Sequence, residues 1–149
     1  MEDLRELYQE VILDHNNDPR NFRKIDFATH DAKGYNPLCG DEVHLYLVVK
    51  EGRIEDICFQ GHGCAISKAA ASLMTDALKS KTVEEAESLF HRFQEMVTQK
   101  PGMEINFEGL GKLAVFAGVR EFPVRVKCAT LVWHALEASL KKKDRATSE

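Results

Sequence analysis

Residues 43–60, VHLYLVVKEGRIEDICFQ, decide the fold because they predict a β-hairpin. From Val43 to Val49 apolar residues alternate with polar ones, which is the pattern of a half-buried strand. Glu51-Gly52 predicts a tight turn, and the stretch from Arg53 to Gln60 predicts the returning strand. The first half of the chain is therefore expected to contain an antiparallel strand pair.

Helical patterns lie on both sides of this hairpin. They cover residues 4–12, 65–79, 86–97 and 124–138, with a further short helix expected around 109–116. Thr82 and Glu85 form a capping box before the third helix, and Pro123 suits the first turn of the last one. The order of helix, sheet and several helices predicts an α+β fold, with a small antiparallel sheet of about three strands packed against several helices.

Composition limits the class of protein. The 149 residues, 44% hydrophobic and 30% charged, predict one globular domain over residues 1–149 with a flexible tail from about residue 141. The net charge of -4 disfavours general nucleic-acid binding, and no stretch is apolar enough to cross a bilayer. The acidic, polar N-terminus is no secretory signal, so we expect a cytoplasmic location, where thiols stay reduced. The four cysteines then favour metal binding or thiol chemistry over disulfides.

Three cysteines and one aspartate lie in separate segments that suit metal ligands. Cys39 is flanked by proline and glycine, which predicts a loop, and Asp41 follows two residues later. Cys64 comes after two glycines at an expected helix start, where free backbone amides and the helix dipole favour a thiolate. Cys128 lies on the apolar side of the last helix. Three thiolates and a carboxylate can complete a tetrahedral shell for zinc, or hold part of an iron–sulfur cluster.

Other interpretations of these residues remain open at this point. Taken alone, Asp41 fits a turn-capping aspartate and Cys128 a buried core cysteine, and both become stronger candidates beside the other two thiols. Cys58, at strand spacing in the hairpin, is expected to be a structural core residue. His62 is expected to point to solvent, and the remaining histidines show no ligand spacing.

Three motifs, in this order, resemble those of the U-type iron–sulfur cluster assembly family, which includes IscU and the N-terminal domain of NifU. They are NPLCGD at 36–41, FQGHGCAIS at 59–67 and FPVRVKCATL at 122–131. Within the family the chain is most similar to the SufU branch of zinc-dependent sulfurtransferases. Two features indicate this branch: an inserted stretch around 98–119, and Lys127 at the place where the IscU scaffolds have a histidine.

The resemblance implies a single U-type domain with zinc bound by Cys39, Asp41, Cys64 and Cys128. It implies a sulfurtransferase that accepts persulfide sulfur from a pyridoxal-phosphate (PLP)-dependent cysteine desulfurase of the SufS type. A downstream iron–sulfur scaffold or apo-protein would then receive the sulfur. Cys39 is expected to be the catalytic acceptor, because a thiol on a loop can move and can be reached by a partner.

Two alternatives accompany this expectation. The first is an IscU-like scaffold on which a [2Fe–2S] cluster is assembled and transferred, with iron or the cluster on the same residues. The second is a structural zinc domain used only for contacts, in which removing the metal would unfold the chain.

Overall fold

The computed structural model describes residues 2–147, apart from the side chains of residues 2–5 and 7. The elements follow in the order α1 (Glu2–Asn17), β1 (His30–Asn36), β2 (Asp41–Lys50), β3 (Arg53–His62), α2 (Ala65–Leu78), α3 (Val83–Thr98), a 3₁₀ segment (Gly111–Glu121), α4 (Pro123–Leu140) and β4 (Arg145–Thr147). The predicted α+β fold is confirmed. Leu4 and Leu7, which begin the predicted first helical stripe, lie outside the residues whose side chains are described.

The predicted hairpin is formed by β2 and β3. Its turn residues, Glu51 and Gly52, have φ angles of 51° and 75°. Two consecutive left-handed residues are typical of a tight two-residue hairpin turn. The pairing continues to Glu42 opposite His62, so the start of β2 and the end of β3 lie side by side.

The sheet described within residues 2–147 has four strands in the order β3-β2-β1-β4. β1 pairs with β2 and β2 with β3 in antiparallel fashion, whereas β4 runs parallel to β1. The sequence analysis expected about three strands, and the structure adds a fourth. The backbone N–H of Lys33 donates to the carbonyl of Asp144 at 2.9 Å, and the next three residues form β4. A three-residue strand is too short to show an alternating pattern in the sequence.

The core lies between one face of the sheet and the helices. Leu45, Leu47 and Ile57 on the sheet are fully buried. On the helical side, the indole ring of Trp133 stacks on Phe90 and Phe93, at 5.6 and 5.1 Å between ring centroids. The predicted short helix around 109–116 is found as the longer 3₁₀ segment, which adds buried Leu113 and Phe116 to the core. No helix within residues 2–147 is long and apolar enough to cross a membrane.

Candidate metal centre

The turn between β1 and β2 carries Cys39. Asn36 and Asp41 face each other in the strand register, and the chain turns between them. The carbonyl of Asn36 accepts hydrogen bonds from the backbone N–H groups of Cys39 and Gly40, at 3.3 and 2.9 Å. Gly40 has a φ of 70°, a left-handed conformation that glycine adopts at little cost. The predicted loop is confirmed, and Cys39 is exposed on it.

Asp41 is the first residue of β2 and is fully buried. Its Oδ1 accepts a hydrogen bond from the backbone N–H of Cys64 at 2.8 Å, and its Oδ2 lies 3.3 Å from Asn36 Nδ2. A side chain at position 63 would overlap this carboxylate, so Gly63 allows the approach. Among the side chains that the structure describes, no cationic group forms an ion pair with Asp41. A buried carboxylate without a cation is costly, which fits a metal ion at this place.

Cys64 is the N-cap of α2, and its sulfur accepts a hydrogen bond from the backbone N–H of Ser67 at 3.4 Å. The pKa of the Cys64 thiol is lowered to about 7. The main cause is the hydrogen bond from Cys128, and the N–H of Ser67 adds to it, while burial opposes both. The predicted helix start is confirmed, and the helix terminus lowers the thiol pKa as expected.

Cys128 lies in α4 and is 3% exposed. Its sulfur is 3.7 Å from the sulfur of Cys39. The hydrogen bond to Cys64, together with burial, raises the pKa of Cys128 above its ordinary value. Of these two thiols, Cys64 is therefore the one that ionises more readily.

The structure brings Cys39, Asp41 and Cys128 into one group, and it places Cys64 beside Asp41. The sulfurs of Cys39 and Cys128 and a carboxylate oxygen of Asp41 all lie within 4.8 Å of one another. The sulfur of Cys64 lies 3.8 Å from Asp41 Oδ2. Two sulfurs and a carboxylate oxygen in one group, with a third sulfur beside the carboxylate, suit zinc or iron better than magnesium or calcium.

The other cysteine and the histidines stand apart from this group. Cys58 is fully buried beside Asp56, and burial raises the pKa of its thiol to about 11. The prediction that it is a core residue is confirmed. The His62 side chain is 72% exposed and pairs with Glu42 at 3.1 Å, in agreement with the expected solvent position. His15 is a packing residue, buried against Ser72.

Asn36 is the residue that the sequence analysis missed. It is fully buried, and its Nδ2 contacts both Asp41 and Cys128. The only signal in the sequence was a polar residue placed directly before the proline of the first ligand motif. Lys127, next to Cys128, is partly buried and forms no ion pair with any described residue.

A strand turn, a helix start and a second helix together present cysteines and one aspartate, which is an arrangement typical of metal-binding proteins. A family model described as "NifU-like N terminal domain" matches residues 7–129. The chain therefore belongs to the U-type iron–sulfur cluster assembly family.

Relatives and solved structures agree with this membership. The chain is 40% identical to an iron–sulfur cluster assembly scaffold protein IscU of Streptococcus pyogenes serotype M1, over 96% of this chain and 88% of the relative. It is 41% identical to the zinc-dependent sulfurtransferase SufU of Bacillus subtilis, over 95% of this chain and 94% of the relative. A crystal structure from Fervidobacterium islandicum, described as a candidate assembly scaffold of the SUF system, superposes with a TM-score of 0.82 at 36% identity, over 91% of this chain and 97% of that one.

Proposed function

We propose that this chain is a zinc-dependent sulfurtransferase that accepts persulfide sulfur from a PLP-dependent cysteine desulfurase of the SufS type. The unequal exposure of the three candidate thiols carries the proposal. Cys39 is exposed on a turn, whereas Cys64 is partly buried and Cys128 is buried. One thiol is thus accessible to a partner protein, and in this proposal the other two remain ligands.

The donor set supports zinc as the bound metal. Cys39, Asp41, Cys64 and Cys128 would hold the ion, which would keep its thiol ligands ionised at neutral pH. Lys127 stands where the IscU scaffolds have a histidine, which disfavours a histidine-ligated cluster. The relative from Bacillus subtilis that bears the name zinc-dependent sulfurtransferase aligns over nearly the whole chain.

The sulfur transfer needs no external oxidant or reductant. The Cys39 thiolate attacks the outer sulfur of the persulfide on the desulfurase. The sulfur–sulfur bond of that persulfide breaks, and its electron pair leaves with the desulfurase cysteine, which becomes a thiolate. Cys39 then carries the outer sulfur as its own persulfide. A thiolate of a downstream scaffold or apo-protein would take the sulfur in the same way.

A second candidate is a scaffold on which a [2Fe–2S] cluster is assembled and handed on as cargo. Its support is the name of the Streptococcus pyogenes relative, which is an assembly scaffold. In this role the three cysteines would hold the cluster, and Asp41 would be the weak ligand that lets it leave. Lys127 in place of histidine makes this the second choice.

The experiment mixes the zinc-loaded protein with a cysteine desulfurase and free cysteine, and follows alanine release. We expect the wild-type chain to speed alanine release and the Cys39→Ala variant to lose this effect, because the acceptor is gone. Cys58→Ala is the matched control, since it removes a thiol that lies outside the cluster. Mass spectrometry should find one added sulfur on the peptide that contains Cys39.

Three other results would contradict the proposal. Persulfide accumulation on Cys39→Ala at the wild-type rate would exclude Cys39 as the acceptor. No rise in alanine release, with a cluster forming once iron is supplied, would favour the scaffold. Unfolding on zinc removal without any sulfur on cysteine would favour a structural zinc domain.

A further inference from the structure

The side chain of Asn36 is buried between two of the candidate ligands. Its Nδ2 donates to Asp41 Oδ2 at 3.3 Å and to Cys128 Sγ at 3.7 Å. A side-chain amide nitrogen carries two N–H groups, so it can make both contacts at once. Because Asp41 begins β2 and Cys128 belongs to α4, this one nitrogen ties together two elements that meet at the centre.

The oxygens of Asn36 shape the turn that carries the third ligand. Oδ1 accepts a hydrogen bond from the backbone N–H of Leu38 at 3.3 Å, as in an Asx turn. The backbone carbonyl accepts from Cys39 and Gly40. These contacts hold the backbone of the turn, whereas the nitrogen contacts the ligating side chains of Asp41 and Cys128.

Resting on the proposed function, we propose that Asn36 is a positioning residue of the metal centre. Its amide nitrogen orients the side chains of Asp41 and Cys128 toward the ion, so that these two ligands stay in place while Cys39 leaves to take up sulfur. Hydrogen bonds to metal ligands commonly fix their orientation, and removing such a partner weakens metal binding by about ten- to a hundredfold. An amide N–H forms a stronger hydrogen bond with an anionic acceptor than with a neutral one. Asp41 and Cys128 would both bind metal as anions, so these two hydrogen bonds would strengthen in the metal-bound state.

Two substitutions at position 36 distinguish the role of the amide nitrogen from that of the amide oxygen. Asn36→Asp keeps the shape and the acceptor for Leu38 but lacks the donor, and Asn36→Ala lacks both. Asn106→Ala is the matched control, because Asn106 Oδ1 accepts from the N–H of Glu108 at 3.0 Å in the same kind of turn on an exposed loop. Zinc affinity is measured by chelator competition, and Co²⁺ is used as a spectroscopic probe of the ligand geometry.

We expect both Asn36 variants to bind zinc about ten- to a hundredfold more weakly, with altered Co²⁺ spectra, and Asn106→Ala to match the wild type. Wild-type affinity in Asn36→Asp, with a loss only in Asn36→Ala, would overturn the proposal, since the residue would then act through the turn alone. The unfolding midpoint of each metal-free variant checks that it is folded.

If Asn36→Asp does not fold, a double-mutant cycle of Asn36→Ala with Asp41→Ala takes its place. The proposal expects the two losses in zinc affinity to be non-additive, because one residue acts through the other. Additive losses would overturn it. The zinc-binding experiment uses no desulfurase. A wild type that binds zinc here but takes up no sulfur in the desulfurase assay would therefore refute the sulfurtransferase role alone. A wild type that binds neither zinc nor Co²⁺ would overturn both proposals.

Discussion

At the scale of single residues, the surroundings of each thiol decide its reactivity. Cys58 and Cys64 are six positions apart in the chain, yet burial raises the pKa of Cys58 to about 11, while the hydrogen bond from Cys128 and the N–H of Ser67 lower that of Cys64 to about 7. Cys58 therefore stays a protonated core residue at neutral pH, whereas a substantial fraction of Cys64 is thiolate, the form that binds metal.

This difference predicts the pH dependence of alkylation in the metal-free protein. The thiolate fraction of Cys64 should rise as the pH increases through about 7, and the iodoacetamide reaction should follow it with that midpoint. Cys58 should stay unreactive over the same range. Peptide mass spectrometry measures both sites.

The same experiment on variants tests the cause of the shift. Cys128→Ala should move the Cys64 midpoint upward, because it removes the main hydrogen bond that stabilises the thiolate. Cys58→Ala should leave the midpoint unchanged. A midpoint at the ordinary cysteine value, or one insensitive to Cys128→Ala, would contradict this account.

At the scale of elements, α2 and α3 begin in different ways. Helix N-caps are usually Ser, Thr, Asp or Asn, and α3 follows this rule with a complete capping box of Thr82 and Glu85. In α2 the sulfur of Cys64 takes this place, although sulfur is a weak acceptor. The start of α2 therefore has a weaker side-chain cap than the start of α3.

Because the capping box of α3 lies away from the candidate metal centre, we expect its loss to lower stability without changing zinc affinity. Thr82→Ala should lower the free energy of unfolding by about 1 kcal/mol, because the backbone N–H of Glu85 loses its acceptor. Thr98→Ala is the control, since its exposed hydroxyl only donates to the carbonyl of Gln94 within the same helix. Urea unfolding measures both variants. A loss of zinc affinity in Thr82→Ala would contradict the separation of this helix from the site.

At the scale of the whole molecule, the candidate metal centre is formed by elements that also build the core. β2 contributes Asp41 at its start and Leu45 further along, and α4 contributes both Cys128 and the buried Trp133. The core therefore supports the same elements that present the ligands. For this reason the fold should persist without metal, and bound metal should add to its stability.

Metal removal tests this prediction. After chelation the far-UV circular dichroism should remain native, and the unfolding temperature should fall by about 5–10 °C, which corresponds to about 2.7 kcal/mol of binding free energy at a hundredfold excess over Kd. Asp41→Ala should show a smaller effect of zinc, because it lacks one ligand. Complete unfolding on chelation would contradict the prediction and support a structural zinc domain.

The sequence by itself determined the hairpin, the main helices and the candidate ligands. Alternation from Val43 to Val49, the capping box at Thr82 and the proline at position 123 are local signals, because strands, caps and turns depend on neighbours in the chain. The loop around Cys39 and the helix start at Cys64 were also predicted from local signals. These local signals and the family motifs together named the four candidate ligands.

Only the tertiary structure decided how these residues meet and which of them is free to react. The exposure of Cys39, the burial of Asp41 and the contact of Asn36 with Cys128 depend on α4 packing against β1 and β2. The pairing of β4 with β1 likewise depends on where the chain returns after α4. Such contacts join residues far apart in the chain, and no local period or cap encodes them, because they form only when the core brings distant elements together.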